Sequence, residues 1–331
     1  SAAGNGIVTF GGTVNISGGS ISAAAKNHAA IDIFSSNYAA DGEGADVTIS
    51  GGEITSDLVA ASTNNVKSAN SSLTITGGTI TTRTTSIYWP TSGTLAIGDA
   101  DNGTGPAIIS KIGSIVEMCS GTLNVYGGTL SAGEEQTAQD KLSTDVLQEM
   151  FNTVGTSGYG SIGDGVTVFA NRADAYAANP LSVNISGGTF TSGQNYGVRV
   201  FDNSTFAGVS TNAQQINLSI SGGSFSGGYG AVEASHLQDA DERLISGGTF
   251  SDEPAAANIA PLYVAAKNAD GTWTVAMHAH AAVEGAAWEK NADSHWHVCA
   301  YEGCTEKIDE GAHAFEWIID KQPTGTSEGS K

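Results

Sequence analysis

Val14-Asn-Ile16-Ser-Gly18-Gly19-Ser-Ile21 is a phrase that keeps returning along the chain. It comes back as Val47-Thr-Ile49-Ser-Gly51-Gly52-Glu-Ile54, Leu73-Thr-Ile75-Thr-Gly77-Gly78-Thr-Ile80 and Leu123-Asn-Val125-Tyr-Gly127-Gly128-Thr-Leu130. Val183-Asn-Ile185-Ser-Gly187-Gly188-Thr-Phe190 and Leu218-Ser-Ile220-Ser-Gly222-Gly223-Ser-Phe225 follow, and Ile245-Ser-Gly247-Gly248-Thr-Phe250 is a shortened last copy. Apolar residues alternate with small polar ones, the period of a strand. Two glycines then supply backbone conformations closed to other residues, and a new apolar residue starts the next strand.

The first glycines of the copies stand at 18, 51, 77, 127, 187, 222 and 247, in steps of 33, 26, 50, 60, 35 and 25. The short steps give a unit of about 25 residues, the step of 50 holds two such units, and 33 and 35 are one unit with a longer loop. A repeat of this length means a solenoid or a propeller. Propeller blades of about 40–50 residues with Trp-Asp signatures are not seen. Three short strands per unit predict an all-β fold, a parallel β-helix over 1–276. Ile16, Ile49, Ile75, Val125, Ile185 and Ile220 then form one interior column, and Val14, Val47, Leu73, Leu123, Val183 and Leu218 a second. Ile21, Ile54, Ile80, Leu130, Phe190 and Phe225 begin the next face.

Two departures mark elements outside the repeat. Across 133–160, Leu142, Val146, Leu147, Met150, Phe151 and Val154 recur at helical spacing, which predicts a helical insertion, either a prop or a lid. Across 262–275, apolar alternation on both sides of Asp270-Gly271 predicts a hairpin that caps the open edge of the repeat. From 277 to 331 the composition changes. His278, His280, His295, His297 and His313, three of the five Trp, and two of the three Cys fall there, and this stretch reads as a second, small module.

Composition excludes some partners. Thirteen basic residues against 34 acidic ones give a formal charge of −21. Nucleic acid and anionic membranes, which need a basic face, are therefore not expected. No run of about 18 apolar residues occurs, so no helix of this segment is expected to span a membrane. The opening Ser1-Ala-Ala-Gly has no leader pattern; a signal and an anchor are expected outside this segment. Charged residues make up only 14%, against roughly 25% in an average domain, so hydroxyls and amides must supply the polar surface. A monomer is expected.

The densest chemistry is His295-Trp-His297-Val-Cys299-Ala-Tyr-Glu-Gly-Cys304, followed by His313. Thiolates and imidazoles within such reach suit tetrahedral zinc, and the ligand set expected is His297, Cys299, Cys304 and His313, with His295 as a substitute. A module this small has a thin core that a metal would help to fold. The alternative is surface histidines beside a Cys299–Cys304 disulfide. A second candidate is Asp99, Asp101 and Asn102 in a glycine-rich loop, read either as calcium ligands or as a solvated turn. For sugars the aromatic candidates are Tyr88, Trp89, Tyr196 and Tyr229, against a reading of Tyr196 and Tyr229 as rings stacked between repeats. Catalytic signals are poor. Lys111, Arg83, Arg172, Arg199 and Arg243 are scattered, and among carboxylates Asp32, Asp202 and Glu233 are the ones on comparable strands.

The Ile-Ser-Gly-Gly-Thr-Phe phrases resemble those of large surface proteins of gut Gram-positive bacteria with a right-handed parallel β-helix of pectate-lyase-like shape, some of them classed as calcium-dependent carbohydrate-binding proteins. The stretch 245–275 resembles the closing strands of that group. His295-Trp-His297 with Cys299, through His313 and Trp317, is similar to a small repeat found after such helices, although the Cys299–Cys304 loop is longer here. The resemblance implies a cell-surface or cell-wall-attached, extracellular protein with a carbohydrate-binding or adhesive role on glycans or host polymers. The alternative it implies is a polysaccharide-active lyase or hydrolase.

Overall fold

The computed structural model describes residues 4–24, 29–33, 44–63, 71–140, 162–168, 181–201, 216–235, 237, 243–314 and 324–326. Among these the protein is all-β apart from short 3-10 turns, and most of its strands lie in long parallel sheets. Contacts divide the chain into two compact units, Ser1–Ala276 and Met277–Lys331.

From Ile7–Thr9 to Thr249–Phe250, consecutive strands of the first unit do not pair with each other. Each pairs in parallel with its counterpart about one repeat later. Val47 stands opposite Val14 and Leu73, Leu73 opposite Leu95, Leu95 opposite Leu123, Leu123 opposite Val183, and Val183 opposite Leu218. Ile16, Ile49, Ile75, Ile97, Val125, Ile185, Ile220 and Ile245 make the neighbouring column in the same register. Past the glycines, Ile21, Ile54, Ile80, Ile108, Leu130, Phe190, Phe225 and Phe250 form a third. Leu95, Ile97 and Ile108 are the rung that the step of 50 residues had hidden: they fit the columns without a glycine pair. Phe190, Phe225 and Phe250 stack ring on ring at 4.9 and 5.2 Å.

The glycine pair marks the corner between columns. Gly52 has φ +95, and a Cβ on it would sit 2.9 Å from the Gly19 carbonyl oxygen. Its partner Gly51 would put a Cβ 2.7 Å from the Ser17 carbonyl oxygen. Neighbouring rungs thus approach backbone on backbone, and only glycine fits.

A second parallel sheet runs from Ile7–Thr9 through Ile31–Ile33, Ala61–Thr63, Ile87–Trp89, Val116–Met118, Val166–Val168 and Tyr196–Val200 to Gly230–Glu233. Its flanking residues Ile31, Ile87, Val116, Val166 and Val198 point into the core. The central residues are mostly polar, and Asp32, Ser62, Glu117, Thr167 and Arg199 are nonetheless buried. Burial of this row is made tolerable by pairing: Asp164 accepts from Arg199 Nε and Nη2, the Tyr196 N–H and the Thr167 hydroxyl.

At the far end, Trp273–Met277 pairs antiparallel with Thr249–Phe250, and Tyr263–Lys267 lies beyond it. Its turn is closed by Asn268 N–H to the Thr272 carbonyl at 2.7 Å, with Asp270 accepting from the Thr272 N–H and hydroxyl. The helix expected across 133–160 falls mostly on 141–161, outside the described residues. The described part, 133–140, holds a turn and the single 3-10 turn Ala138–Asp140. No described helix is long and apolar enough to cross a membrane.

Candidate metal centre

In the second unit, Glu289–Lys290, Ser294–Val298 and Lys307–Ala312 form a three-stranded antiparallel sheet. Pairing in that sheet ends at Val298. The next residue, Cys299, pairs instead with Ala282, and the Ala300 N–H donates to the Ala281 carbonyl at 2.8 Å. That bridge brings the extended stretch carrying His278 and His280 alongside Cys299. These two histidines, two residues apart, share one face of an extended chain. The Cys304 N–H donates to the Tyr301 carbonyl at 3.1 Å, and Gly303 has φ +81. The chain therefore folds back and returns Cys304 to the same spot.

Four ligand atoms converge there. Nitrogens of His278 and His280 and the Sγ atoms of Cys299 and Cys304 all lie within 4.8 Å of one another. Cys299 Sγ is 3.5 Å from His278 Nε2 and 3.9 Å from His280 Nδ1, and Cys304 Sγ is 3.4 Å from His280 Nδ1. Zinc–sulfur and zinc–nitrogen bonds of ordinary length put tetrahedral ligand atoms about 3.3–3.8 Å apart, so these spacings suit one ion. Among the described residues this is the one grouping of three or more His, Cys, Asp or Glu ligand atoms. The His278 ring stacks on Tyr301 at 4.1 Å and meets His280 edge-on at 4.7 Å, which fixes its plane.

The electrostatics prepare one thiolate. Cys299 is lowered from about 9 to about 6, first by the Tyr301 N–H and then by the His280 and His278 rings and the Ala281 N–H, against the opposing effect of burial. Cys304 is pushed up, first by burial and then by the neighbouring Cys299 sulfur, with the Glu306 N–H opposing. Each sulfur thus accepts from the backbone N–H two residues on, a geometry that orients a metal-bound thiolate. Cys299 and Cys304 are 5% and 8% exposed. Both are free thiols, so the disulfide alternative is not the arrangement present.

Of the ligand set expected from sequence, the structure brings Cys299 and Cys304 together in this cluster and places His297 and His313 elsewhere. The His297 ring packs on Trp288 at 3.7 Å, and His313 stacks on His295 at 5.4 Å. Strand alternation had suggested that Cys299 continues the face of His297, but the sheet ends between them. His278 and His280 were missed because they precede the cluster by some twenty residues. The signal available was their His-x-His spacing, which mirrors His295-x-His297.

The other candidates fall elsewhere. In the loop 99–105, Asp99 Oδ1 accepts from the Asp101 N–H and Oδ2 from Asn102 Nδ2, while Asn102 Oδ1 accepts from Thr104. These oxygens close their own turn, as in the solvated-turn reading. Tyr88 and Trp89 are 6% and 1% exposed, and Trp89 Nε1 donates to the Gly93 carbonyl. With no open ring face, neither can serve as the sugar platform expected of it. Tyr196 stacks on Tyr229 at 5.1 Å and carries Arg199 over its ring at 4.6 Å, so Tyr229, 39% exposed, is the more open of the pair. Of the carboxylates, Asp32 is buried and accepts from Asn5 and Ser62, and Glu233 accepts from Ser235. Asp202 and Arg172 lie outside the described residues.

No protein-family profile matches the chain, and neither a curated protein nor a solved structure matches it.

Proposed function

We propose that residues 1–276 wind as a right-handed parallel β-helix that serves as a non-catalytic, extracellular glycan-binding or adhesive scaffold, attached to a cell surface or wall. Its C-terminal module is folded around a structural zinc ion. The observation that carries the metal reading is the convergence of four ligand atoms from His278, His280, Cys299 and Cys304 within 4.8 Å. Four protein ligands fill a tetrahedral shell and leave no position for substrate, so the ion's role is to hold the module together. Neutral imidazoles and thiolates also favour zinc over the oxygen-seeking calcium.

The scaffold reading is supported by how the repeat uses its residues. Its columns are used in stacking, its buried Asp164 and Arg199 in pairing with one another, and its outer rungs carry hydroxyls and amides such as the Asn184–Asn124 pair at 3.0 Å. Metal analysis of the purified chain tests the first half: one zinc per chain is expected, and a chain that carries no zinc and takes none up would refute it. A glycan array tests the second: binding is expected, and silence across the array would leave only a stalk.

A further inference from the structure

Arg83 and Lys111 look unrelated in the sequence, yet the structure sets them on adjacent rungs of one corner. The Asp57 N–H donates to the Ala23 carbonyl, the Arg83 N–H to the Ser56 carbonyl, and the Lys111 N–H to the Thr82 carbonyl, each at 3.0–3.1 Å. The Glu135 N–H donates to the Lys111 carbonyl at 2.7 Å. Asp57, Arg83, Lys111 and Glu135 therefore rise along one edge in the order minus, plus, plus, minus. All four line a groove with a volume of about 460 Å³, within the range of ligand-sized sites.

The charges along this edge are only partly joined in ion pairs. Lys111 Nζ pairs with Glu135 at 2.9 Å, with both side chains about half exposed. Among the described residues Arg83 makes no ion pair, with Asp57 or with any other carboxylate. Two cations on rungs about 4.8 Å apart repel, and Glu135 offsets only the Lys111 side. This happens in a chain with only 13 basic residues against 34 acidic ones, where a cation without a counter-charge stands out. Beside the charged edge, Ser22, Thr55 and Thr81 stand in register on three successive strands and line the same groove. The wall thus offers a row of hydroxyls next to a planar guanidinium fork.

We propose that this groove binds a carboxylate-bearing sugar unit of a glycan. This rests on the glycan-binding reading above and names its ligand class and site. Arg83 takes the carboxylate through two parallel N–H donors, with Lys111 adding its charge, and Ser22, Thr55, Thr81 and Asp57 meet the sugar hydroxyls. No aromatic ring lines the groove, so recognition there is polar and weakens with salt.

The test titrates the full chain with a uronate-containing oligosaccharide and with its methyl ester, alongside a panel of neutral glycans. Arg83→Gln and Lys111→Gln proteins run in parallel, their folding checked by circular dichroism. The acid is expected to bind about tenfold more tightly than the ester, a preference that shrinks at high salt and disappears in R83Q. K111Q is expected to retain part of it. Equal binding of acid and ester, or an undiminished preference in R83Q, overturns the site. If neutral glycans bind the parent protein while the acid gains nothing over its ester, the site falls while the glycan-binding reading stands. If nothing on the panel binds, both fall.

Discussion

Arg199 Nη2 lies 2.9 Å from Asp164 Oδ1, and neither side chain has any exposed surface. The pair sits where the central residues of the second sheet meet the turn at 162–165. Asn195 Oδ1 accepts from Arg199 Nη2 at 3.0 Å, and Ser114 links to both Thr167 and Asp164. Burial pushes the Asp164 carboxyl up, and the Arg199 charge, the Tyr196 N–H and the Thr167 hydroxyl pull against it. Removing one partner leaves the other charge buried without compensation. Arg199→Met is therefore expected to cost about 3–5 kcal/mol, and Arg199→Met with Asp164→Leu considerably less. Urea unfolding of the two single variants and the double variant checks this; additive losses would mean that the pair is not coupled.

The glycine corner gives a graded series at one structural position. Gly18 is outside the left-handed region with open space around it, so Gly18→Ala is expected to change stability by no more than about 0.5–1 kcal/mol. Gly19 has φ +84 but nothing within 4 Å, because no earlier rung among the described residues packs on it, and Gly19→Ala is expected to cost about 1–2 kcal/mol in backbone strain alone. Gly52 has φ +95 and the Gly19 carbonyl oxygen 2.9 Å from where a Cβ would be. Gly52→Ala adds a backbone clash and is expected to cost about 3 kcal/mol or more. Thermal melts that ranked the three in any other order would contradict the corner's role.

This corner is also what made the fold legible from sequence. A phrase repeating Ile, Ser, Gly, Gly and Phe fixes strand, bend and strand in register, so the columns of Ile16, Val14 and Ile21 could be read directly. The rung of Leu95 and Ile97 could be read only as the second half of a double step, because it carries no glycine pair. The candidate metal centre was half legible. Cys299 and Cys304 announce themselves by chemistry, but the histidines that join them depend on where a strand stops pairing. That is decided by the Ala282–Cys299 bridge, a contact between segments with no local pattern. Arg83 and Lys111 were illegible for the same reason: their proximity exists only through the stacking of rungs.

The exchange of histidines gives a sharp discrimination. His280→Ala and Cys304→Ser each remove a ligand and are expected to reduce zinc affinity by a hundredfold or more, on the order of 3 kcal/mol. His297→Ala and His313→Ala are expected to leave zinc affinity within about threefold while loosening the packing on Trp288 and His295. Competition with a chromogenic chelator measures all four. A large loss in His297→Ala with none in His280→Ala would restore the ligand set drawn from sequence.

The two thiols should also be told apart in the metal-free chain. Cys299 is lowered to about 6, mainly by the Tyr301 N–H, whereas burial pushes Cys304 up from about 9. Because the folded value of Cys299 is depressed, its thiolate contributes to the module's stability fully above the unfolded value near 9, and that contribution is lost as pH falls through 6. Alkylation with iodoacetamide after chelation, read out by peptide mass spectrometry, is expected to modify Cys299 with a midpoint near pH 6. Cys304 should stay slow until the solution is alkaline, because the thiolate is the nucleophile. Zinc readdition should protect both at every pH where it binds. Identical midpoints for the two residues would mean that the Tyr301 and histidine donors do not act on Cys299, and equal labelling with and without zinc would remove both sulfurs from the ligand set.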